Sequence, residues 1–323
     1  MKNIIKTTFA SAFEEDVYKG LTNHPKYLFS KYIYDKKGDK LFQDIMNLPE
    51  YYLTNCEYNI LKNHAAEIAK SFNAPEGFDL IELGAGNGKK TKVLLRYLVE
   101  NNVDVDYLPI DISQNVLEEL ENSLKNEIPN LNVKIQQGTY FQILKKLADF
   151  NSRKKVIIML GSNIGNLLHT DAIDFLRHIK ETMGPEDMLF MGFDQKKHPQ
   201  TIQDAYNDKT GVTEAFNKNL LIRINSEMKA NFDPDTFMHW ETYNPETGTA
   251  KSFLVSKKEQ NVKIENLGLN VHFDAWETIH TEISQKYDDA VVRWLADQSG
   301  LKVTGSFIDE RGYYKNYIFR NNQ

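Results

Sequence analysis

The sequence predicts an α/β fold, in which helices cover both faces of a mostly parallel sheet and an antiparallel hairpin closes its C-terminal end. Between residues 78 and 194, apolar runs alternate with segments of helical apolar spacing, and this alternation is typical of a parallel sheet. After this region the alternation stops, and two strand-like runs, residues 302–308 and 313–319, predict the hairpin. The predicted strands of the alternating region are residues 78–83, 105–110, 131–135, 156–160 and 188–193, and its predicted helices are residues 89–101, 113–126, 141–149 and 170–183.

The segments outside this alternation predict a second domain that is discontinuous in sequence. Residues 1–56 are rich in aromatic side chains, and residues 196–284 contain helical and strand-like patterns without the alternation. The chain is therefore expected to divide into a ligand-binding core of residues 57–195 and 285–323 and an α+β cap formed by the two remaining segments.

Two helices are expected near the first domain boundary. Helical spacing over residues 40–48 ends before a proline. Thr54, followed by Glu57 three residues later, matches a capping box, which predicts a helix from there to about Ser71.

A glycine-rich turn follows the first predicted strand. Gly84, Gly86 and Gly88 allow the backbone to turn sharply and approach a ligand, and the next helix presents unpaired N–H groups to the same place. The turn lacks the P-loop pattern for nucleoside triphosphates, and it misses the dinucleotide pattern because Lys89 stands where the third glycine is required. Another nucleotide-like ligand is favoured, and a plain βα turn without a ligand is the alternative.

Acidic residues at two strand ends indicate which ligand. Glu82 lies two residues before Gly84, and Asp111 follows the second predicted strand. Because ligands of such sheets bind at the carboxyl ends of the strands, both carboxylates are expected there. They suit a cationic ligand with a ribose, and S-adenosylmethionine (SAM) has a sulfonium, an amino group and a ribose diol. SAM is therefore favoured over NAD.

Composition and charge exclude several function classes. The chain has 323 residues and a net charge of −6, with charges of both signs mixed along it, which argues against nucleic-acid binding. Its single cysteine, Cys56, and the lack of metal-binding spacing among its eight histidines predict no metal site. No apolar leader region or 18-residue apolar stretch is present. We therefore expect a cytoplasmic, monomeric enzyme that acts on a small molecule and has no membrane partner.

Polar residues elsewhere are candidates for substrate binding. The loop formed by residues 161–166 follows an apolar strand, and Asn166 can present its amide to an amine or a carboxylate, or can cap the next helix. Tyr34, Tyr52 and Tyr206 are candidates to line a pocket, although tyrosine more often packs its ring in a core.

Strand-like alternation near residue 280 places two further polar residues on one face. These are Glu282 and Ser284. They are candidates for binding a substrate, and simple exposure to solvent is the alternative.

Six motifs are spread in order over most of the chain. They are Y-D-x-x-G-x-x-L-F with L-P-E-Y-Y within residues 34–52, I-E-L-G-A-G at 81–86 followed by Lys90 and Thr91, G-S-N-I-G-N-L at 161–167, A-Y-N-D-x-x-G-V-T-x-A-F-N at 205–217, F-D-P-D at 232–235 and T-E-I-S at 281–284. Together they resemble the histidine-specific methyltransferase family. The resemblance implies a class I SAM-methyltransferase fold, Rossmann-like with a C-terminal antiparallel hairpin, and SAM as cofactor. It also implies methylation of the α-amino group of L-histidine to the trimethylated betaine, as in ergothioneine biosynthesis.

The resemblance also implies roles for individual residues. The residues implied to contact SAM are Tyr52, Gly84, Gly86, Lys90 and Asp111, with Asp111 on the ribose, and Tyr140 and Phe141 near the adenine. Asn166 and Tyr206 are implied to hold the substrate's amino and carboxylate groups, with Tyr34 nearby. Apart from the resemblance, Tyr34 is a candidate proton acceptor, and deprotonation by solvent is the alternative. Glu282 and Ser284 are implied to bind the imidazole ring, and Tyr52 is also a candidate substrate contact.

Two positions differ from the family pattern. Tyr140 and Phe141 stand where the family has an Asp-Phe pair, and Ser252 stands where a methionine is expected. Three alternatives therefore remain beside histidine α-N-methylation. They are the same chemistry on another amino acid or amine, methylation of a histidine ring nitrogen, and SAM binding without catalysis.

Overall fold

The computed structural model describes residues 9–72, 75–148 and 153–322, and the chain divides into two compact units. The first unit comprises Met1–Tyr52 and Lys197–Ser284, and the second comprises Leu53–Lys196 and Gln285–Gln323. Residues 1–8 of the predicted cap and residue 149 of a predicted helix lie outside the described residues.

The described part of the chain contains both helices and strands. The helices are α1 (Ala12–Thr22), α2 (Lys36–Met46), α3 (Tyr52–Asn63), α4 (Ala65–Phe72), α5 (Thr91–Glu100), α6 (Gln114–Glu127), α7 (Tyr140–Ala148), α8 (His169–Glu181), α9 (Pro199–Tyr206), α10 (Val212–Met228) and α11 (Asp289–Ser299). The strands are β1 (Lys26–Tyr27), β2 (Phe78–Leu83), β3 (Val105–Asp111), β4 (Asn132–Val133), β5 (Gln136–Gln137), β6 (Lys154–Met159), β7 (Met188–Asp194), β8 (Phe237–Asn244), β9 (Thr249–Ser256), β10 (Gln260–Ile264), β11 (Leu269–Phe273), β12 (Thr278–Gln285), β13 (Leu301–Ile308) and β14 (Tyr314–Asn321).

The second unit is built on a mostly parallel sheet in the strand order β13–β14–β7–β6–β2–β3–β4, with β5 also pairing with β3. β2 pairs in parallel with both β3 and β6. β14 runs antiparallel between β7 and β13, so the C-terminal hairpin closes the sheet on one side. The predicted fold class is confirmed. Because β2, β3 and β6 are parallel neighbours, the loops that follow them lie at the same end of the sheet.

The centre of this sheet is buried on both faces. Every residue of β2 is buried, including the apolar Phe78, Leu80 and Ile81. Burial on both faces is typical of parallel strands that are covered by helices on both sides. α8 packs against α11, and Leu176 and Leu295 of these helices belong to the core cluster of the unit.

The first unit has a four-stranded sheet in the order β1–β12–β9–β8 and a separate antiparallel hairpin, β10–β11. α10 packs against β8, β9 and α2. Its side chains Phe216, Leu220 and Ile224 are buried. This sheet carries Glu282 and Ser284 on β12.

α2 begins four residues before the predicted helix over residues 40–48. The Asp35 carboxylate accepts the Gly38 backbone N–H at 2.8 Å and caps the helix at Lys36. A side-chain acceptor at this position satisfies one of the N–H groups that lack a partner in the first turn.

The helix predicted after Thr54 also differs. α3 begins at Tyr52, so Thr54 lies inside the helix and the capping-box prediction is wrong. The helix does not continue to Ser71 as one element, because the chain turns at His64 between α3 and α4. Glu57 is therefore not a capping residue. Its side chain is buried within the second unit.

Candidate active site

The glycine turn after β2 has the backbone geometry that a close ligand approach requires. Gly84, Gly86 and Gly88 have φ angles of +73°, +52° and +65°, in the left-handed region. A Cβ at Gly84 would lie 2.6 Å from the Tyr140 hydroxyl, whereas a Cβ at Gly86 would meet no atom within 4 Å. Gly84 is therefore required for close packing, and the space beside Gly86 is open.

Glu82 supports this turn from inside the protein. It is 3% exposed, and its carboxylate accepts hydrogen bonds from the Thr91 hydroxyl at 2.5 Å and from the Tyr107 hydroxyl. Burial raises the pKa of Glu82 to about 7, although both hydrogen bonds oppose the shift. Glu82 therefore acts on the turn through Thr91, at the start of α5, and does not present an exposed carboxylate.

Asp111 ends β3 beside an exposed apolar side chain. Its Oδ1 accepts the Ser113 backbone N–H at 3.0 Å, and the next residue, Ile112, is 72% exposed. Tyr140, the first residue of α7, lies near Asp111. Burial, and then the carboxylates of Asp111 and Glu82, raise the pKa of Tyr140 to about 12, so its hydroxyl is neutral. A carboxylate next to apolar surface suits a ribose diol that is joined to a purine.

Phe141 provides a further partly exposed aromatic surface on α7. It is 37% exposed, and its ring contacts the ring of Phe175 edge-on at a centroid distance of 5.4 Å. The neighbouring α8 therefore holds the Phe141 ring in place while one part of it stays accessible.

A buried carboxylate, Glu57, connects two of the loops at the ends of the strands. Its Oε2 accepts hydrogen bonds from Lys90 Nζ at 2.5 Å and from the Gly161 backbone N–H at 2.7 Å. Its Oε1 accepts one from Asn316 Nδ2 at 2.8 Å. Lys90 directly precedes α5, and Gly161 begins the loop after β6, so one side chain ties both loops to α3 and β14.

The loop after β6 exposes Asn166. Ser162 has a φ angle of +57°, and its hydroxyl accepts the Asp194 backbone N–H at 3.0 Å, which anchors the loop to β7. Asn163–Asn166 forms a 3₁₀ turn, and α8 begins only at His169, so Asn166 does not cap that helix. Within residues 9–72, 75–148 and 153–322, the exposed Asn166 amide has no hydrogen-bond partner. It can therefore bind a ligand.

In the first unit, the hydroxyls of Tyr206 and Ser284 are hydrogen-bonded at 2.7 Å. Tyr206 is the last residue of α9, so its carbonyl lacks a partner within the helix. His239 Nε2 lies 2.9 Å from that carbonyl. Because a carbonyl only accepts, Nε2 carries the proton, and Nδ1 is left as a bare acceptor. Burial lowers the pKa of His239, which keeps the ring neutral.

Tyr34 lies within electrostatic range of Glu282. The ring of Tyr34 packs edge-on against Phe42 and Phe216, at centroid distances of 5.6 and 5.5 Å, while 39% of the residue stays accessible. Desolvation by these neighbours, followed by the Glu282 carboxylate, raises the pKa of Tyr34 above its ordinary value. The hydroxyl is therefore protonated at neutral pH and can donate a hydrogen bond.

Tyr52 is buried at the start of α3. It is 3% exposed, and its hydroxyl accepts a hydrogen bond from Lys197 Nζ at 2.8 Å. This contact orients the hydroxyl and brings a positive charge to it.

A buried polar network fixes the strands around Glu282. The Ser252 hydroxyl on β9 donates to Glu241 Oε2 on β8 at 2.7 Å, and Ser252 is 2% exposed. On β12, the Thr281 hydroxyl donates to Asn217 Oδ1 on α10 at 2.6 Å. The strand that carries Glu282 is thus bonded to α10 from behind, and position 252 holds a small side chain that is bound to Glu241.

Residues 13–321 match the model of a family described as "Histidine-specific methyltransferase, SAM-dependent". The chain belongs to this family. It is 35% identical over 304 residues to the Histidine N-alpha-methyltransferase of Mycolicibacterium smegmatis, an alignment that covers 94% of this chain and 93% of the relative. The corresponding protein of Mycobacterium tuberculosis is 34% identical over 301 residues, covering 93% and 92%. Ergothioneine biosynthesis protein 1 of Schizosaccharomyces pombe is 29% identical over 296 residues, covering 90% of this chain and 38% of the relative.

The predicted enzyme class and cofactor are thereby confirmed: this methyltransferase uses SAM. The residues at the strand ends fit that molecule. The space beside Gly86 is open, the Asp111 carboxylate suits a ribose diol, and the Lys90 ammonium suits the carboxylate of the methionine part.

Two classes of feature are not found in the described parts of this methyltransferase. No group of three or more His, Cys, Asp or Glu side chains there could hold a metal ion. None of the described helices combines the length and the apolar character needed to cross a bilayer.

The predicted site residues of this methyltransferase fall into one group in each unit. In the second unit, the group contains Gly84, Gly86, Lys90, Asp111, Tyr140, Phe141 and Asn166. In the first unit, it contains Tyr34, Tyr52, Tyr206, Glu282 and Ser284. Tyr206 contacts Ser284 directly, and Tyr140 lies against Gly84.

The sequence analysis did not identify Glu57 and His239, which bond to Lys90 and Tyr206 of these groups. Glu57 matched a capping motif, and its contact with Lys90 spans 33 residues, so no local pattern predicts it. His239 gave no motif. The only available signal was its place on an alternating strand, whose inward positions include His239 and Glu241.

Proposed function

We propose that this methyltransferase transfers methyl groups from SAM to the α-amino nitrogen of L-histidine and forms the trimethylated betaine of an ergothioneine-type pathway. The observation that carries the proposal is the Tyr206–Ser284 hydroxyl pair in the unit that also holds Glu282. Hydroxyls and a carboxylate together suit an amino acid with an imidazole N–H. The names of the two mycobacterial relatives and of the fungal relative support the same acceptor and pathway.

We assign SAM binding to the second unit. In this proposal Asp111 accepts hydrogen bonds from the ribose diol, and Tyr140 and Phe141 contact the adenine. Lys90 binds the carboxylate of SAM. Its ammonium follows the glycine turn in the chain, and Glu57 holds that ammonium in place. Support comes from the open space beside Gly86 and the positive φ angles of the turn.

Asn166 is proposed to bind the amino or carboxylate group of the acceptor. Its amide is exposed and offers both donors and an acceptor. The 3₁₀ turn and the hydrogen bond between Ser162 and Asp194 restrain the loop, which supports a specific contact.

We assign recognition of the acceptor's ring to the first unit. Glu282 accepts a hydrogen bond from an imidazole N–H, and Ser284 and Tyr206 provide hydroxyls that can donate or accept. Tyr34 and Tyr52 belong to the same unit and are the remaining proposed substrate contacts. The bond between Thr281 and Asn217 supports this role, because it fixes the strand on which Glu282 lies.

The reaction is an in-line displacement that needs a neutral amine. The nitrogen lone pair attacks the methyl carbon while the S–CH₃ bond breaks, and the electron pair of that bond stays on sulfur. S-adenosylhomocysteine leaves as a neutral thioether, and the new ammonium loses a proton before the next transfer. Alignment of nitrogen, carbon and sulfur can supply about 7–11 kcal/mol of such a barrier. Because the raised pKa keeps Tyr34 protonated, we assign the proton loss to solvent.

Mass spectrometry after incubation with SAM and a panel of amino acids tests the proposal. We expect histidine to gain three methyl units, with fragmentation placing all three on the α-nitrogen. Methylation of a ring nitrogen, of another amino acid in preference to histidine, or of nothing in the panel would each overturn it.

A second candidate function is the same reaction on a different amino acid. The observation that favours it is Ser252, a small side chain bound to Glu241 where the family pattern has a methionine. The serine side chain is shorter than the methionine of the family pattern, so the fit around the acceptor's ring differs from that pattern. The same panel distinguishes the two, because another amino acid would then be methylated faster than histidine.

We also propose that the enzyme acts as a monomer in the cytoplasm. Its relatives' names indicate biosynthetic enzymes for small molecules. Size-exclusion chromatography with light scattering would give about the chain mass of 37.4 kDa for a monomer. Twice that mass would contradict it.

A further inference from the structure

Glu57 carries a fully buried carboxylate that three different segments bind. It is 0% exposed and accepts hydrogen bonds from Lys90, from the Gly161 backbone and from Asn316. A buried carboxylate remains charged only when its oxygens are paired in this way. The ion pair with Lys90 supplies the opposite charge, and the two neutral donors satisfy the remaining acceptor positions.

The neighbouring strand leaves room for this carboxylate. Gly192 lies on β7, and a Cβ at this position would overlap Glu57 Oε1 and the Tyr314 hydroxyl. Glycine is therefore needed here for space. The sheet, as well as the two loops, therefore determines where the Glu57 carboxylate can lie.

The Glu57 carboxylate holds Lys90 and Gly161 side by side. A Cβ at Gly161 would lie 3.2 Å from Lys90 Nζ, and Gly161 has a φ angle of +86° that favours glycine. The Lys90 ammonium has three donors, and its side chain is 21% exposed, so it can bind an anion while it remains bonded to Glu57. A lysine without such a partner samples many rotamers, and ordering it weakens binding.

We propose that Glu57 is a positioning residue for SAM, which holds the Lys90 ammonium and the start of the 161–166 loop ready for the carboxylate of the methionine part. The inference rests on the proposed SAM contact of Lys90 and extends it to a residue that itself touches no ligand. It follows that Glu57 matters for ligands that contain the methionine part and does not matter for ligands that lack it.

Binding measurements with two ligands test this role. S-adenosylhomocysteine contains the amino-acid carboxylate, and 5′-methylthioadenosine has the same adenosine and thioether without it. We expect Glu57→Gln to weaken S-adenosylhomocysteine binding by about tenfold to a hundredfold, the loss typical of a charged hydrogen bond, and to change methylthioadenosine binding by less than about twofold. Isothermal titration of the whole chain gives both constants without any acceptor, so the result is independent of whether histidine is methylated.

Two controls separate positioning from general stability. Glu127→Gln removes a carboxylate that pairs with Lys92 and Arg96 on the surface, and it should leave both constants unchanged. Asn316→Ala removes one neutral partner of Glu57 and keeps the other two, so it should retain the preference for S-adenosylhomocysteine.

A double variant keeps the proposal testable if Glu57→Gln alone fails to fold. Lys90→Met leaves the Glu57 charge without its partner, whereas Lys90→Met with Glu57→Gln removes both charges together. We expect the double variant to bind S-adenosylhomocysteine no more weakly than Lys90→Met. A further loss of about tenfold in the double variant, or an equal loss for both ligands in Glu57→Gln, would overturn the positioning role. So would an unchanged affinity for both.

Discussion

Glu82 and Asp208 are both buried, but their pKa values move in opposite directions. Burial dominates at Glu82 and raises its pKa to about 7. At Asp208 burial also opposes the charge, but hydrogen bonds from Thr210 and Thr213 outweigh it and lower the pKa to about 2. The number and kind of donors around each carboxylate therefore decide its charge, and this cannot be read from the residue type.

Glu82 gives a pH dependence of stability with a definite sign. Its pKa is near 4.5 in an unfolded chain and about 7 in the native state, so the native state binds the proton more tightly. The stability contributed by the protonated group is complete below pH 4.5 and is lost as pH rises to 7. The expected loss between pH 5 and pH 8 is about 2–3 kcal/mol. Glu82→Gln should lack it, as urea unfolding at both pH values would show. Parallel changes in the variant and the wild type would contradict this.

Replacing Glu282 should reduce activity towards the acceptor far more than it reduces binding of the cofactor. Replacing it with alanine removes a charged hydrogen bond to the proposed imidazole, so kcat/KM for histidine should fall by about tenfold to a hundredfold or more. The dissociation constant of SAM should stay within about twofold. Glu265→Ala is a suitable control, since Glu265 pairs with the exposed Lys263 on the surface of the same unit. Equal losses for histidine and SAM would argue against the assigned role.

His239 should act on the acceptor through Tyr206. A glutamine at position 239 can place an amide N–H where Nε2 donates to the Tyr206 carbonyl, whereas asparagine is too short and leucine has no donor. We expect His239→Leu and His239→Asn to raise the KM for the acceptor by about threefold to tenfold, and His239→Gln to restore most of the loss. The KM for SAM should not change. If glutamine behaved like leucine at unchanged melting temperature, the hydrogen bond would not be the cause.

The same residues show how much of the proposed site follows from sequence. The positions of Gly84 and Asp111 at the carboxyl ends of neighbouring parallel strands were predictable, because the glycine turn and the alternation of strands and helices indicate them. Tyr206 and Glu282 required the resemblance to a family, since they are 76 residues apart and share no local pattern. The roles of Glu57 and His239 could not be predicted, because each depends on a contact with a distant backbone or side chain.

At the scale of elements, buried strands were predicted best. β2 and β7 are buried at every residue, and both are short and rich in apolar side chains, as is typical of strands at the centre of a parallel sheet. β8 was not predicted, because its inward positions include the polar His239 and Glu241, which hide the alternation. α1 was also missed, although Ser11 accepts the Glu14 backbone N–H at 3.2 Å and the Ser-x-x-Glu spacing is a helix-start signal.

Asp208 should stabilise the first turn of α10. Its carboxylate accepts the backbone N–H groups of Val212 at 3.1 Å and Thr213 at 2.7 Å, within the first turn of the helix. Asp208→Ala should therefore lower the free energy of unfolding by about 0.5–2 kcal/mol at neutral pH. Because the native pKa lies below the ordinary 3.8, this stabilisation is present above pH 4 and is lost as the pH falls towards 2. Thermal unfolding at pH 7 and pH 2.5 measures both effects.

A surface aspartate on the preceding helix provides the matched control. Asp204 is exposed on α9, where its carboxylate accepts a hydrogen bond from the Gln200 side chain one turn earlier, so Asp204→Ala should change stability by less than about 0.5 kcal/mol. An Asp208→Ala variant as stable as this control would show that α10 does not depend on the carboxylate.

At the scale of the whole molecule, each unit is assembled from two separated parts of the chain. Tyr206, Glu282 and Ser284 belong to the first unit, and the glycine turn and Asp111 belong to the second. Under the proposed function, substitutions that alter acceptor recognition would therefore fall in a different unit from those that alter SAM binding.

The position of β14 has a consequence for the order in which the protein forms during translation. β14 pairs with β7, yet about 120 residues of chain separate the two strands, and the larger part of the first unit, Lys197–Ser284, is synthesised in between. Until β14 has left the ribosome, β7 has an unpaired edge that another chain could join. Newly made copies of this enzyme therefore depend on the β13–β14 hairpin to cover that edge, and a chain that stops before β14 is the form most exposed to aggregation.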